Sequence, residues 1–204
     1  MNIRTSCKAA LAATGIALAS VASLAISTPV MAQQPDYNSG YADDRAAIED
    51  LMARYLFAID FHDWDAYVGT FAEDGEIEFA SGSFVGRDAI REAVTTFSAR
   101  IGEFYSTEDG NAAKLRHVIL QSTIRVEGDR AWAVSLWLEM ANDGPGDTLK
   151  MGTFGAYEDE MSRIDGQWLF TRRNVLNDFI PGRNPGPENP VRDMDAAARI
   201  YRDR

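Results

Sequence analysis

The chain has 204 residues, a single cysteine and a formal net charge of −11. That charge argues against nucleic acid or anionic lipid as a partner, since binding phosphate needs clustered cationic side chains. With only Cys7 available, disulfides cannot hold the fold, and stability must come from packing.

Arg4 and Lys8 open the chain, Ala9 to Ile26 is almost wholly small and apolar, and Pro29 precedes Val30-Met31-Ala32. This order predicts a cleaved secretory signal over residues 1–32 and a periplasmic or secreted protein. The apolar run is marginal for a span of about 20 strongly apolar residues, so no membrane contact is expected after cleavage. Removing residues 1–32 takes away two positive charges and no acid, which moves the net charge from −11 to −13. The remaining chain is long enough for one core and short for two.

Residues 33–41 read as a flexible leader. Apolar residues at Ile48, Leu51, Met52, Tyr55, Leu56 and Ile59 then mark an amphipathic helix, with Asp43 and Asp44 suited to capping its start. A second, shorter helix is predicted over Trp64 to Phe71, capped by Asp63. Asp74-Gly75 reads as a turn, Glu76 to Phe79 as a short strand, and Ala89 to Phe97 as the apolar face of a third helix. Gly102 to Ala113 is polar and loop-like.

From there the period becomes two. His117 to Val126, Ala131 to Met140, Leu149 to Met161 and Trp168 to Phe179 read as four strands. Their turns are Glu127-Gly128-Asp129, the loop Asn142 to Asp147, and Asp165-Gly166. Tandem hairpins make an antiparallel meander. Residues 42–180 therefore form one domain, and 181–204 a Pro-rich tail with a short terminal helix from Val191. Helices followed by a long sheet give an α+β fold, and a sheet curled round three N-terminal helices would enclose a pocket. An open sheet face with Val118, Leu120, Val134 and Leu136 needs cover, which predicts a homodimer or homotrimer.

The chemistry-bearing residues are few. The two histidines, His62 and His117, make no metal triad at usable spacing, so no metal and no cofactor is expected. His117 opens the first long strand among apolar neighbours. It is either a general base or a core histidine satisfied by a backbone carbonyl, and periodicity alone favours the second. Asp60 ends the first helix, one residue past the apolar stripe. Read alone, it is a helix-terminal carboxylate in water or the cap of the next helix. His62 is expected to be exposed. Glu76/Glu78 and Glu158/Glu160 each share a strand face and read as solvated surface.

Several stretches in order resemble the SnoaL-like branch of the nuclear transport factor 2-like superfamily. They are Ile48-Glu49-Asp50-Leu51 through Ala58-Ile59-Asp60, Phe71-Ala72-Glu73-Asp74-Gly75, Val85-Gly86-Arg87-Asp88-Ala89-Ile90, Arg116-His117 and Asp165-Gly166-Gln167-Trp168. The resemblance implies a conical α+β barrel with a deep apolar pocket. It is nearest the scytalone dehydratase and hexachlorocyclohexane dehydrochlorinase members, where an Asp–His pair sits at the positions of Asp60 and His117. The implied roles are His117 as base and Asp60 as its orienter. Arg173 matches a pocket arginine, which would steady a leaving group or oxyanion; otherwise it is a surface strand arginine. Tyr55 stands where the dehydrochlorinase has a lysine, and Leu115 where it has a cysteine, which argues against chloride elimination.

Tyr55 would donate a hydrogen bond to a substrate oxygen or simply pack, and Tyr157 and Trp137 would line the cavity or pack. The expectation is a cofactor-independent lyase or isomerase, dehydratase-like, acting on a small apolar molecule. The alternative is a non-catalytic binding or assembly module of the same fold.

Overall fold

In a computed structural model, residues 40–180 and 189–202 are described. The predicted signal (1–32), nearly all of the leader and residues 181–188 of the tail lie outside them. The elements run α1 (Tyr41–Asp60), α2 (Trp64–Gly69), β1 (Phe71–Phe79), β2 (Gly82–Val85), α3 (Arg87–Gly102), β3 (Arg116–Glu127), β4 (Arg130–Gly144), β5 (Thr148–Ile164), β6 (Gln167–Val175) and α4 (Pro190–Arg202). The fold is α+β. Among the described residues no helix is long and apolar enough to cross a membrane.

One curled, unclosed six-stranded sheet has the order β2-β1-β6-β5-β4-β3. The meander β3 to β6 is antiparallel throughout, and β1 joins β6 in parallel. Its turns follow from backbone chemistry. Gly128, at φ 61°, opens a two-residue turn between β3 and β4. Asp165 and Gly166, at 51° and 78°, give the left-handed pair that a type I′ hairpin requires.

The stripe foreseen on α1 is the inner core. Ile48, Leu51, Met52 and Tyr55 pack with Phe71, Ile124, Ala133, Trp137 and Phe170 from the sheet's concave face. Covering those side chains contributes about 1.5–3 kcal/mol for each large one.

Four local expectations are corrected. The α1 N-terminus is not capped by Asp43 or Asp44: Gly40 precedes the helix, and Asp44 instead accepts bonds from Arg163 (2.6 Å) and Trp168 Nε1 (3.3 Å). Asp74-Gly75 is no turn but lies within β1, where the register on β6 shifts. Gly75 is needed there because a Cβ would sit 2.9 Å from the Phe170 carbonyl oxygen. Strand β6 ends at Val175 rather than Phe179, since the Asn177 side chain accepts the amides of Phe179 and Ile180 and turns the chain. Val134 is not on an open face: with Trp132 it is buried under Met194 and Ala198 of α4.

The cap by Asp63 is as predicted, its carboxylate accepting from Ala66 N at 3.0 Å. His62 is exposed, as expected.

Candidate active site

The end of α1 meets the start of β3, and this junction places Asp60 against His117. Asp60 Oδ1 is 2.6 Å from His117 Nδ1, and Oδ2 accepts the His117 backbone amide at 2.9 Å. A carboxylate only accepts, so the bond at 2.6 Å places an imidazole proton on Nδ1, and in the neutral ring Nε2 is then the nitrogen that carries the lone pair. The Asp60 side chain is 6% exposed and that of His117 15%, so the ring keeps some access while the carboxylate behind it is nearly sealed. Arg116 holds the same junction by donating to the Asp60 carbonyl (3.1 Å) while its guanidinium lies over the Phe61 ring.

A cavity of about 480 Å³ lies in front of the His117 ring. Its wall is mostly apolar and aromatic: Tyr55, Tyr67, Ile77, Phe97, Trp137, Tyr157 and Val175 all line it. Such a wall, with few polar groups converging on one end, is the ordinary form of a small-molecule site. Of the residues singled out from sequence, His117, Tyr55, Tyr157 and Trp137 line this cavity together. Asp60 stands behind His117 and faces a groove between α1 and β3.

Arg173 is placed otherwise. It does not line the cavity and has no exposed side-chain surface. Its guanidinium forms a two-pronged pair with Asp159, at 2.7 Å for both bonds. It is boxed by the rings of Tyr55, Phe170 and Tyr157, whose centroids lie 4.0, 4.0 and 4.3 Å from Cζ. Burial opposes the Arg173 charge, and Asp159 alongside outweighs burial, so the group stays cationic. The geometry makes Arg173 a packed ion pair beneath the cavity floor, neither lining the pocket nor lying on the surface, the two places expected for it.

Burial pushes the phenols of Tyr55, Tyr67 and Tyr157 above their ordinary range, which keeps all three neutral near pH 7. Tyr55 and Tyr67 share an O–H···O bond of 3.0 Å. The Trp137 indole donates to the Leu176 carbonyl at 3.2 Å, and its ring stacks on Tyr157. Trp137 is therefore a fixed wall of the cavity with its polar atom already satisfied.

Sequence reasoning missed Glu139 and Tyr105, which also line the cavity. Glu139 faces His117 across the β3–β4 ladder, with Oε2 3.7 Å from Nε2, and its Oε1 accepts the Tyr105 hydroxyl at 2.5 Å. The signal was present. Counting by twos along β4 from Ala131 through Trp137 brings Glu139 onto the same inner face. Tyr105 comes from the loop after α3, where no periodicity marks it.

Comparison with known proteins agrees with this picture. Rv3472, a protein of unknown function from Mycobacterium tuberculosis, is 28% identical over 79% of this chain and 86% of its own, with a TM-score of 0.57. A candidate scytalone dehydratase from Novosphingobium aromaticivorans is 21% identical over 73% of this chain and 96% of its own, TM-score 0.56. An NTF2-like protein with a cystatin-like fold from the same organism is 23% identical, over 76% and 90%, TM-score 0.58. No curated protein matches the chain. Residues 40–174 match the SnoaL-like domain, so the chain belongs to the SnoaL-like family, which includes polyketide cyclases and dehydratase-like enzymes.

Proposed function

We propose that this protein is a cofactor-independent lyase or isomerase that removes an acidic C–H proton from a small, mostly apolar molecule. The observation that carries the reading is the His117 ring itself. Asp60 fixes its Nδ1–H at 2.6 Å, and the opposite nitrogen faces an aromatic cavity of about 480 Å³. A general base needs a lone pair aimed at substrate, a fixed tautomer and a partner for the charge it acquires, and Asp60 supplies the last two. The neutral phenols of Tyr55, Tyr67 and Tyr157 provide a wall that carries no competing charge. The dehydratase name of one structural neighbour fits this chemistry, although a likeness of 21% identity carries the fold alone.

The apparent secretory signal supports a site of action outside the cytoplasm. The exposed apolar side chains Leu120, Met151 and Phe154 support association with further copies of the chain, and the acidic balance supports a small-molecule partner over nucleic acid.

One observation favours the binding-module alternative. Asp60 takes the His117 backbone amide as well as its ring, so the pair also staples α1 to β3. The two readings part in a thermal-shift screen of hydroxy, keto and halogenated aryl compounds, run on wild type and His117→Ala beside urea unfolding. Catalysis predicts that ligands raise the wild-type Tm and that the variant binds them, keeps its fold and turns none over. If the variant instead loses about 3 kcal/mol or more, as when a buried pair is broken, and no ligand is transformed by either protein, the pair is structural.

A further inference from the structure

We propose that Glu139 is the second catalytic residue of this cavity, the acid that delivers a proton to a leaving hydroxyl while His117 takes the proton from carbon. The inference rests on the His117 reading above and deepens it: the substrate is then a neutral β-hydroxy carbonyl compound, and the reaction an elimination of water.

Three features place Glu139 in this role. Its carboxyl lines the cavity, yet the side chain is only 11% exposed, and a carboxyl is costly to hold there without a purpose or a partner. Its aim is built into the sheet. Alternation along β4 turns Glu139 inward beside Trp137, and the β4–β5 register slips by one residue between Leu138 and Met140, so that Gly152 and Thr153 of β5 form a bulge opposite Glu139. Within that bulge a Cβ on Gly152 would come 2.6 Å from Glu139 Oε1; the missing side chain is the space the carboxyl occupies. Tyr105 then grips Oε1, leaving Oε2, 3.7 Å from His117 Nε2, free to serve a substrate.

The gap of 3.7 Å is too long for a hydrogen bond and suits two groups that act on neighbouring atoms of one substrate. The proton balance closes without any co-reactant. The step starts from the form in which His117 is neutral and Glu139 carries a proton. Nε2 takes the α-proton, the C–H electron pair becomes the new C=C bond, and the C–O bond breaks. The departing oxygen takes the Glu139 proton and leaves as water. The imidazolium and carboxylate now face each other, and the proton passes from Nε2 to Oε2 through one water to restore both groups.

The test separates the two protons. The exchange probe is 4-phenylbutan-2-one in D2O, whose α-hydrogens need only a base. The elimination probe is 4-hydroxy-4-phenylbutan-2-one, which forms a conjugated enone followed by its absorbance. In Glu139→Gln the amide can still accept from Tyr105 but cannot give up a proton. Elimination should fall by about 100-fold or more, while exchange stays within about threefold of wild type; His117→Gln should lose both. An equal fall in both rates would make Glu139 a support for His117, and no fall in either would make it a bystander; each overturns the proposal. Wild type that exchanges but does not eliminate sinks this inference and spares the base, whereas wild type that does neither sinks both. Urea unfolding checks that the variant is folded. Should Glu139→Gln fail to fold, Glu139→Asp carries the same comparison, because it keeps a carboxyl but withdraws it by one methylene.

Discussion

Two charged clusters share the concave face of one sheet, and they differ in what surrounds them. At the mouth, Asp60, His117 and Glu139 meet with 6%, 15% and 11% of their side chains exposed, and His117 and Glu139 open onto the cavity. Beneath the floor, Asp159 and Arg173 meet with no exposure at all, enclosed by three aromatic rings. Both clusters are acid–base pairs at hydrogen-bonding distance, yet only the first leaves a proton-bearing atom within reach of a ligand. Pairing explains why a charge can be buried; access decides what it can do there.

The sharpest way to break this comparison is at the floor. Arg173→Met removes the cation and leaves Asp159 in a site without solvent, which should cost about 3–5 kcal/mol in urea unfolding. Pairing it with Asp159→Leu should recover much of that loss, because the rings around the site accept apolar atoms. If Arg173→Met kept its stability and lost turnover, the pair would belong to the chemistry and the distinction between the clusters would fall.

At the mouth the order of effects should reverse. In Asp60→Asn one oxygen can still accept, but the amide nitrogen must then face either the His117 backbone N–H or Nδ1. The first is a donor against a donor. The second moves the imidazole proton to Nε2 and points it at the substrate, which removes the base. Proton abstraction should fall by about 100-fold, or about 2.7 kcal/mol of barrier, with a smaller loss of stability of about 1–2 kcal/mol. The exchange rate of a simple aryl ketone, set beside the urea midpoint, reads the two effects separately.

The sequence shows the scaffold more readily than the wiring, and β5 shows why. Alternation along Leu149 to Met161 marks the strand, and Glu158 and Glu160 are correctly expected on its outer face, where they meet Asn174 and Arg130. The same alternation turns Asp159 inward, but its partner depends on the β5–β6 register that sets Asp159 opposite Arg173, and spacing within one strand does not contain that register. Arg172 and Arg173 are neighbours of one type with opposite fates: the first pairs with Glu76 and Glu78 outside, the second is sealed inside. Asp60 and His117 were legible because a family pattern fixes both positions at once. Alternation along β4 marks Glu139 as inward, but its surroundings were hidden: Tyr105 comes from a loop, and the room for the carboxyl depends on Gly152 in a bulge of the next strand.

That glycine supplies the smallest and most selective perturbation. Gly152→Ala changes no charge and removes no hydrogen-bonding group. Its new methyl would overlap Glu139 Oε1, the far end of a flexible side chain, and press more lightly on the Glu139 carbonyl at 3.3 Å. The carboxyl can swing aside, so the stability change should stay within about 1 kcal/mol. What the variant loses is position, because Tyr105 must release Oε1 or follow it. A misplacement of about 1 Å in a catalytic group can cost about 100-fold, and elimination of the hydroxy ketone should drop while exchange of the plain ketone persists. Should both rates survive Gly152→Ala unchanged, the bulge and the glycine would be features of sheet packing, and the mouth cluster would reduce to Asp60 and His117 alone.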